Sequence, residues 1–338
     1  MAARNTSPDL DVADRRTIVS ASGVSLQAFR ARLTPRWART WGELLAGHAT
    51  LLATILGVVA VSAYAPRFRP LAVALGAVAI GYTLAYIGLF LHEAVHYNLA
   101  PGRRWNDTLA NLAVGVLIGQ DVRVYRPLHF DHHRYLGTPD DTERTYFEPL
   151  DLRFVVESLT GVRALRVLLF REAAGAKEGA TRETPPRSLL NPTLLAGLAL
   201  HAALVVAACL AGQWAVALAW LIGVVVVFPC CAALRQVLEH RDEAASAAID
   251  YRRQAHGPVN RLFGDGPLAS TLGGAGFNRH LLHHLEPQVP CTRLRELEEF
   301  LLDTPLADVV RQRRTTYLVT MVRLARAAGA TREAADRR

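Results

Sequence analysis

Four stretches of the chain carry no charge. Residues 44–64, 71–91, 193–212 and 213–234 contain no Asp, Glu, Lys or Arg. About 20 helical residues at 1.5 Å each cross the hydrocarbon of a bilayer, so each stretch predicts a transmembrane helix. Reading them as buried helices of a soluble core would require a chain of 338 residues to enclose four. The spans pair into two hairpins, one turned by residues 65–70 and the other around Gly212. An even number of spans puts both termini and the long middle segment on one side.

The remaining segments are read from the same pattern. Residues 1–43 form a polar, Arg-bearing arm, partly helical near the membrane, without the short apolar core and cleavage site of a signal peptide. Residues 107–120 are apolar but too short to span, which suits a half-inserted or interfacial helix. Residues 151–172 place Arg among apolar residues at helical intervals, as an interfacial helix or a helix of a cytosolic cap would. Residues 173–192, with Pro185-Pro186, read as a loop. Glycines make 257–276 irregular, and 293–328 return to a helical pattern. The expected fold is an all-α integral membrane protein: four transmembrane helices in two hairpins, with a cytosolic helical cap. Its expected regions are the arm (1–43), a four-span domain (44–290) and a C-terminal cytosolic helical segment (291–338).

Charge assigns the sides. Of 38 Lys and Arg, only Arg67 and Arg69 fall on the short-loop side, so the other side is expected to be cytoplasmic. The net charge of +8 belongs to segments beside lipid, and no nucleic-acid motif accompanies it. Cys209, Cys230, Cys231 and Cys291 have no C-x-x-C spacing, which argues against a disulfide framework or zinc knuckle.

The chemistry lies in the histidines. Residues 91–98, LHEAVHYN, contain H-E-x-x-H from His92, Glu93 and His96. On a helix that signature can hold a zinc ion with Glu93 as general base, or it can be one fragment of a larger metal site. RPLHFDHHRYLG adds His129, His132 and His133, and NRHLLHHLEP adds His280, His283 and His284. Offsets of three and four bring side chains to one face of a helix. Counted from Pro70, His92 lies about 33 Å along its helix, one bilayer thickness, so all three clusters emerge on one side. A catalytic zinc takes three protein ligands, and eight imidazoles exceed one zinc's needs, whereas two metals could use them all. Imidazole alone does not choose among zinc, copper, iron and nickel.

The three boxes, their order and their placement after paired spans resemble the membrane-bound fatty acid desaturase family, which includes related hydroxylases. The third box continues as HHLEPQVP, similar to that family's H-H-L-x-P-x-x-P ending, and the resemblance covers roughly residues 70–290. It implies a cytosolic di-iron centre that activates O2 and oxidises a C–H bond of a lipid-like acyl or alkyl chain. The expected reaction is desaturation, with hydroxylation the alternative. It also implies a ninth ligand at His240, six residues beyond the fourth span, where the competing reading is a surface His. With no fused redox domain visible, electrons are expected from a separate ferredoxin, rubredoxin or cytochrome-type donor.

Metal-bound imidazoles usually donate their other N–H to a carboxylate or carbonyl. Glu93, Asp131, Asp140, Asp141 and Glu239 are candidates for that role, with Asp140 and Asp141 read by default as surface charges. Asn278 is expected to cap the helix of the third box, or to hold a metal-bound water. His48 and His201 are read as packed or interhelically bonded within spans, and His256 as solvated. Two rivals remain: an intramembrane zinc protease built on HEAVH, and a metal transporter or store, which would need polar ligands through the spans. An Arg-heavy, Lys-poor composition points to a GC-rich bacterial source, and with the four spans the expected location is a bacterial inner membrane.

Overall fold

Every charge-free stretch lies in a helix whose ends fall outside or close to its own. The computed structural model describes residues 15–163 and 191–336. Within it four helices are long and apolar enough to cross a membrane: α1 Trp37–Tyr64, α2 Arg69–Val95, α3 Pro192–Leu210 and α4 Trp214–His240. The first begins well before residue 44, because Arg39 and Glu43 pair at 2.8 Å one turn apart and continue the helix through polar sequence. Pro70 sits in the opening turn of α2, where its missing N–H costs nothing. The last two turns of α4 pass residue 234 and carry Glu239 and His240.

The fourth span is not uniform. Gly223–Val227 forms a π-helical turn just ahead of Pro229, whose missing N–H leaves a carbonyl of the preceding turn without its helical partner. Here α2 and α4 approach closely. A Cβ on Gly81 would run into the Val227 side chain and the Gly223 carbonyl, so only glycine lets the two backbones meet. The apolar core of the spans gathers around this crossing, with Ile80, Leu84 and Ile87 of α2 fully buried.

The short apolar stretch over 107–120, expected to be a half-inserted or interfacial helix, is helical but broken: a helix Arg103–Ala110, a π turn Asn111–Gly115 and a short turn Val116–Ile118. Two intramembrane histidines hold it. His48 Nε2 lies 3.0 Å from the Ala113 carbonyl. His201 Nε2 lies 3.1 Å from the Leu117 carbonyl, and its Nδ1 accepts from Trp220.

On the His-box side, the helix Leu152–Leu159 occupies part of the amphipathic stretch read over 151–172, whose residues from 164 onward lie outside those described. So does the loop expected over 173–192, except for Asn191 and Pro192, which begin α3. The stretch 257–276 is irregular apart from a short helix Pro267–Leu272. Helices Leu294–Leu302, Ala307–Gln312 and Tyr317–Asp336 follow. Residues of the arm pack on the first two. Phe29 stacks on Phe300 at 4.3 Å. Ile18 and Leu26 share an apolar cluster with Leu281, Leu282 and Leu285, the leucines interleaved with the third box. The arm therefore braces box three from behind.

Candidate metal centre

Three helix ends and one loop return deliver the imidazoles. His92 lies in the last turn of α2, and His96 is its C-cap residue. His129, His132 and His133 project from the helix Val122–Tyr135, which Asp121 caps by accepting the Arg123 N–H. Arg126 of that helix donates to the Val95 and Ala94 carbonyls at 2.9 and 3.1 Å and, with Asn106, which donates to Ala94 at 2.8 Å, closes the end of α2. It also pairs with Asp107 at 2.5 Å. Boxes one and two are thereby locked in register.

Box three lies on the short helix His280–Leu285. Arg261 donates to the Leu238 and Arg241 carbonyls at 3.0 and 2.6 Å, closing the end of α4. Its own carbonyl accepts the Leu281 N–H at 3.1 Å. One arginine thus couples His240 to box three.

The nine side chains fall into two groups: His92, His96, His129, His133 and His283 in one, and His132, His240, His280 and His284 in the other. Within each group one nitrogen per ring lies within 4.8 Å of all the others. The groups adjoin, with the His133 and His284 rings 4.3 Å apart and those of His129 and His132 5.7 Å apart.

Proton counting shows what such groups suit. His129 and His240 direct Nδ1 to Glu143 (3.1 Å) and the Val259 carbonyl (2.9 Å). Those acceptors place the ring proton on Nδ1, leaving a lone pair on Nε2. Yet these Nε2 atoms stand only 2.9 Å from the Nε2 of His133 and of His280. The same nitrogens of His133 and His280 also face His283 (3.0 Å) and His284 (3.1 Å). One ring N–H cannot serve two neighbours. Both nitrogens of His92, Nε2 of His96 and Nδ1 of His280 are buried without any hydrogen-bond partner. Each such orphan costs about 1–3 kcal/mol. Converging lone pairs and buried orphans fit a cation in each group, and a cavity of ≈ 10 Å³, about the room of one water, lies among His92, His129, His132, His240 and His280.

Electrostatics favour the ligand form. Burial first, and then neighbouring imidazoles, push His133, His280, His283 and His284 well below the usual histidine range. Burial, with His129 and Arg126, does the same for His96. Burial also lowers His129, against the pull of Glu143. His132 differs: burial opposes its charge, but Glu143 and Asp141 raise it.

Of the two carboxylates that orient these rings, Asp141 is among the candidates and Glu143 is not. Asp141, read as a surface charge, is fully buried and accepts from His132 Nδ1 and from the Tyr146 hydroxyl. Glu143 accepts from His129, Tyr125 and Gln236. Burial works against its charge, yet His132 and His129 hold it well below the usual carboxylate range. Both acids follow box two in GTPDDTE, where Gly137 turns the chain back. An acidic pair just past a histidine box and a turn glycine is the signal that could have exposed them. Asp140 is exposed, as expected, and Asp131 is half-buried on the box-two helix.

Glu93 and Glu239 are buried but differently engaged. The Glu93 carboxylate accepts the Cys291 N–H at 3.0 Å, tying the end of α2 to the chain after box three. Glu239 is ion-paired to Arg235 at 2.8 Å and lies 3.8 Å from His280 Nε2, beyond hydrogen-bond reach. Asn278 does not cap box three: its amide donates to the Gly264 carbonyl, and that helix has no side-chain cap. Nor is His256 solvated. It is 8 % exposed, with its ring against Tyr146 and Tyr251, and Nε2 accepts the Asp242 N–H. Its flanking Gly and Arg suggest a wet loop, but Tyr251 of the same loop folds over it and Tyr146, from distant sequence, closes the other side. His48 and His201 stand apart from both groups.

Residues 68–316 match the sequence profile of the fatty acid desaturase family.

Proposed function

Because this chain belongs to the fatty acid desaturase family, a family of enzymes acting on lipids, we propose that it uses two irons and O2 to desaturate a fatty acyl chain. The observation that carries this reading is the partition of nine histidines, drawn from all three boxes and the end of α4, into adjoining groups of five and four. We assign His92, His96, His129, His133 and His283 to one iron, and His132, His240, His280 and His284 to the other. Two irons held there and reduced by an external donor would let O2 act as the oxidant, which takes two hydrogens from adjacent methylenes and two donor electrons and leaves as water.

The chain's own contribution is positional. Glu143, Asp141 and the Val259 carbonyl fix three rings in the tautomer that leaves Nε2 free. Phe277 packs 4.4 Å from His92 and 4.9 Å from His280, a dry apolar wall beside both groups. Phe130, 45 % exposed and 5.6 Å from His96, offers an apolar surface on the other flank. A hydrocarbon chain brought between the spans and the cap meets such walls. The reductant is a separate ferredoxin, rubredoxin or cytochrome-type protein. The enzyme lies in a bacterial inner membrane, with its centre and both termini on the cytoplasmic face, as the placement of 36 of its 38 basic residues indicates.

A protease built on HEAVH would need Glu93 free to act on water. Its carboxylate is instead engaged by Cys291, and the metal groups draw on all three boxes.

The test is expression in a heterologous host with and without the gene, followed by lipid mass spectrometry. An acyl species lighter by about 2 mass units is expected. A gain of about 16 would make the enzyme a hydroxylase instead. An unchanged lipid profile, with iron and reductant supplied, would refute oxidation of host lipids.

A further inference from the structure

A second cavity lies far from the histidine boxes. It has a volume of ≈ 350 Å³, within the range of small-ligand sites, and is bounded by both hairpin turns. Arg69, Ser62, Gln213 and Trp214 line it. Arg69 begins α2, so it lies about 35 Å along that helix from His92, at the opposite end of the bundle.

Its polar groups are under-used. Arg69 donates through Nη2 to the Ser62 carbonyl at 2.9 Å, while its Nε is buried with no partner. Ser62 is 8 % exposed and its hydroxyl is likewise unpartnered. Among the described residues no carboxylate lies within ion-pair distance of Arg69. The guanidinium stands 5.5 Å from the Trp214 ring, and that indole is 52 % exposed, as an aromatic residue at a bilayer interface would be. An uncompensated cation and spare donors around a cavity call for an anion. A phosphate group has more acceptor oxygens than a carboxylate, and its geometry matches the guanidinium fork. It is also the anion in greatest supply at the edge of a bilayer.

We infer that this cavity is a phosphate-binding site that seats the headgroup of a phospholipid, with Arg69 and Ser62 as its principal donors. It would anchor the two hairpins to the leaflet remote from the metal centre.

The full-length protein in detergent is equilibrated with dioleoylphosphatidylglycerol, with dioleoylglycerol, or with inorganic phosphate, and adducts are counted by native mass spectrometry. One tightly held phosphatidylglycerol is expected, with no comparable dioleoylglycerol adduct. Arg69→Gln should weaken retention about tenfold or more, and Ser62→Ala, which keeps the charge, about threefold. Wild-type iron content and helical circular dichroism verify that the variants fold. Displacement of the lipid by millimolar inorganic phosphate would support recognition through the phosphate itself. Binding of inorganic phosphate but not of phosphatidylglycerol would overturn the lipid as source. Equal retention of the two lipids by the unmodified protein, or of phosphatidylglycerol by wild type and both variants, would overturn the site.

Discussion

His132 Nδ1 lies 2.9 and 3.1 Å from the two carboxylate oxygens of Asp141, and both side chains are sealed from solvent. The pair sets the ring's tautomer and raises the electron density of the nitrogen that faces the second group. Asp141→Asn keeps the shape but removes the charge. Metal affinity should fall about 10–100-fold, read by competition with a chelator of known strength. Undiminished affinity would show that the ring is held by packing alone.

Glu93 yields a different prediction. Because its carboxylate accepts a backbone N–H, Glu93→Gln preserves an acceptor oxygen at that place. Iron content and lipid oxidation should remain within about threefold of wild type, since about 1 kcal/mol separates such hydrogen bonds. Glu93→Ala strands the Cys291 amide and should cost about 1–3 kcal/mol in thermal unfolding. His129→Ala, in contrast, should abolish oxidation. A hydrolase would show the reverse order of sensitivity.

The spans and the boxes were legible because each is a local signal: absence of charge over a bilayer's length, and imidazoles repeating at helical offsets. The partition of nine rings into two groups was not. It mixes positions from different boxes, with His132 in one group and its neighbours His129 and His133 in the other. Adjacent positions on a helix point about 100° apart, so one box can feed two centres. Asp141 and Glu143 were hidden for another reason. An acidic run in a Gly- and Pro-bearing loop looks solvated until the turn folds it against the helix it follows. His256 misled likewise, since part of its shelter comes from Tyr146, a residue that only tertiary structure brings to it.

Removal of the metals should make stability sensitive to acid. Burial, then neighbouring charges, lowers His96, His133, His280, His283 and His284 below the ordinary value of 6.5, and burial outweighs Glu143 to lower His129 as well. Below that value the unfolded chain binds protons that the folded metal-free chain refuses. Folding therefore weakens as pH falls through 6.5, by up to about 1.4 kcal/mol per group per pH unit, and is insensitive to these groups above it. His132, raised by its carboxylates, works in the opposite sense. Thermal unfolding of chelator-stripped protein at pH 7.5 and about pH 5.5 tests this. Iron at 100 times its dissociation constant should restore about 2.7 kcal/mol.

Gly137 links the fold to the centre. Its φ of 76° lies in the left-handed region, and a Cβ there would strike the Gly257 backbone. Its N–H donates to the Tyr146 hydroxyl at 2.6 Å, and that hydroxyl donates to Asp141. Its carbonyl accepts from the His256 and Gly257 amides. Gly137→Ala therefore adds a backbone collision to conformational strain, and the strain alone is worth about 1–3 kcal/mol. Gly102 has the same φ of 76° with nothing within 4 Å, so Gly102→Ala carries the strain without the collision. Thermal unfolding should rank Gly137→Ala as clearly the more destabilising. Only that variant should also lose iron, because the turn it distorts is the one that brings Asp141 to His132. Equal effects of the two variants on iron retention would break the connection between this turn and the metal-binding rings.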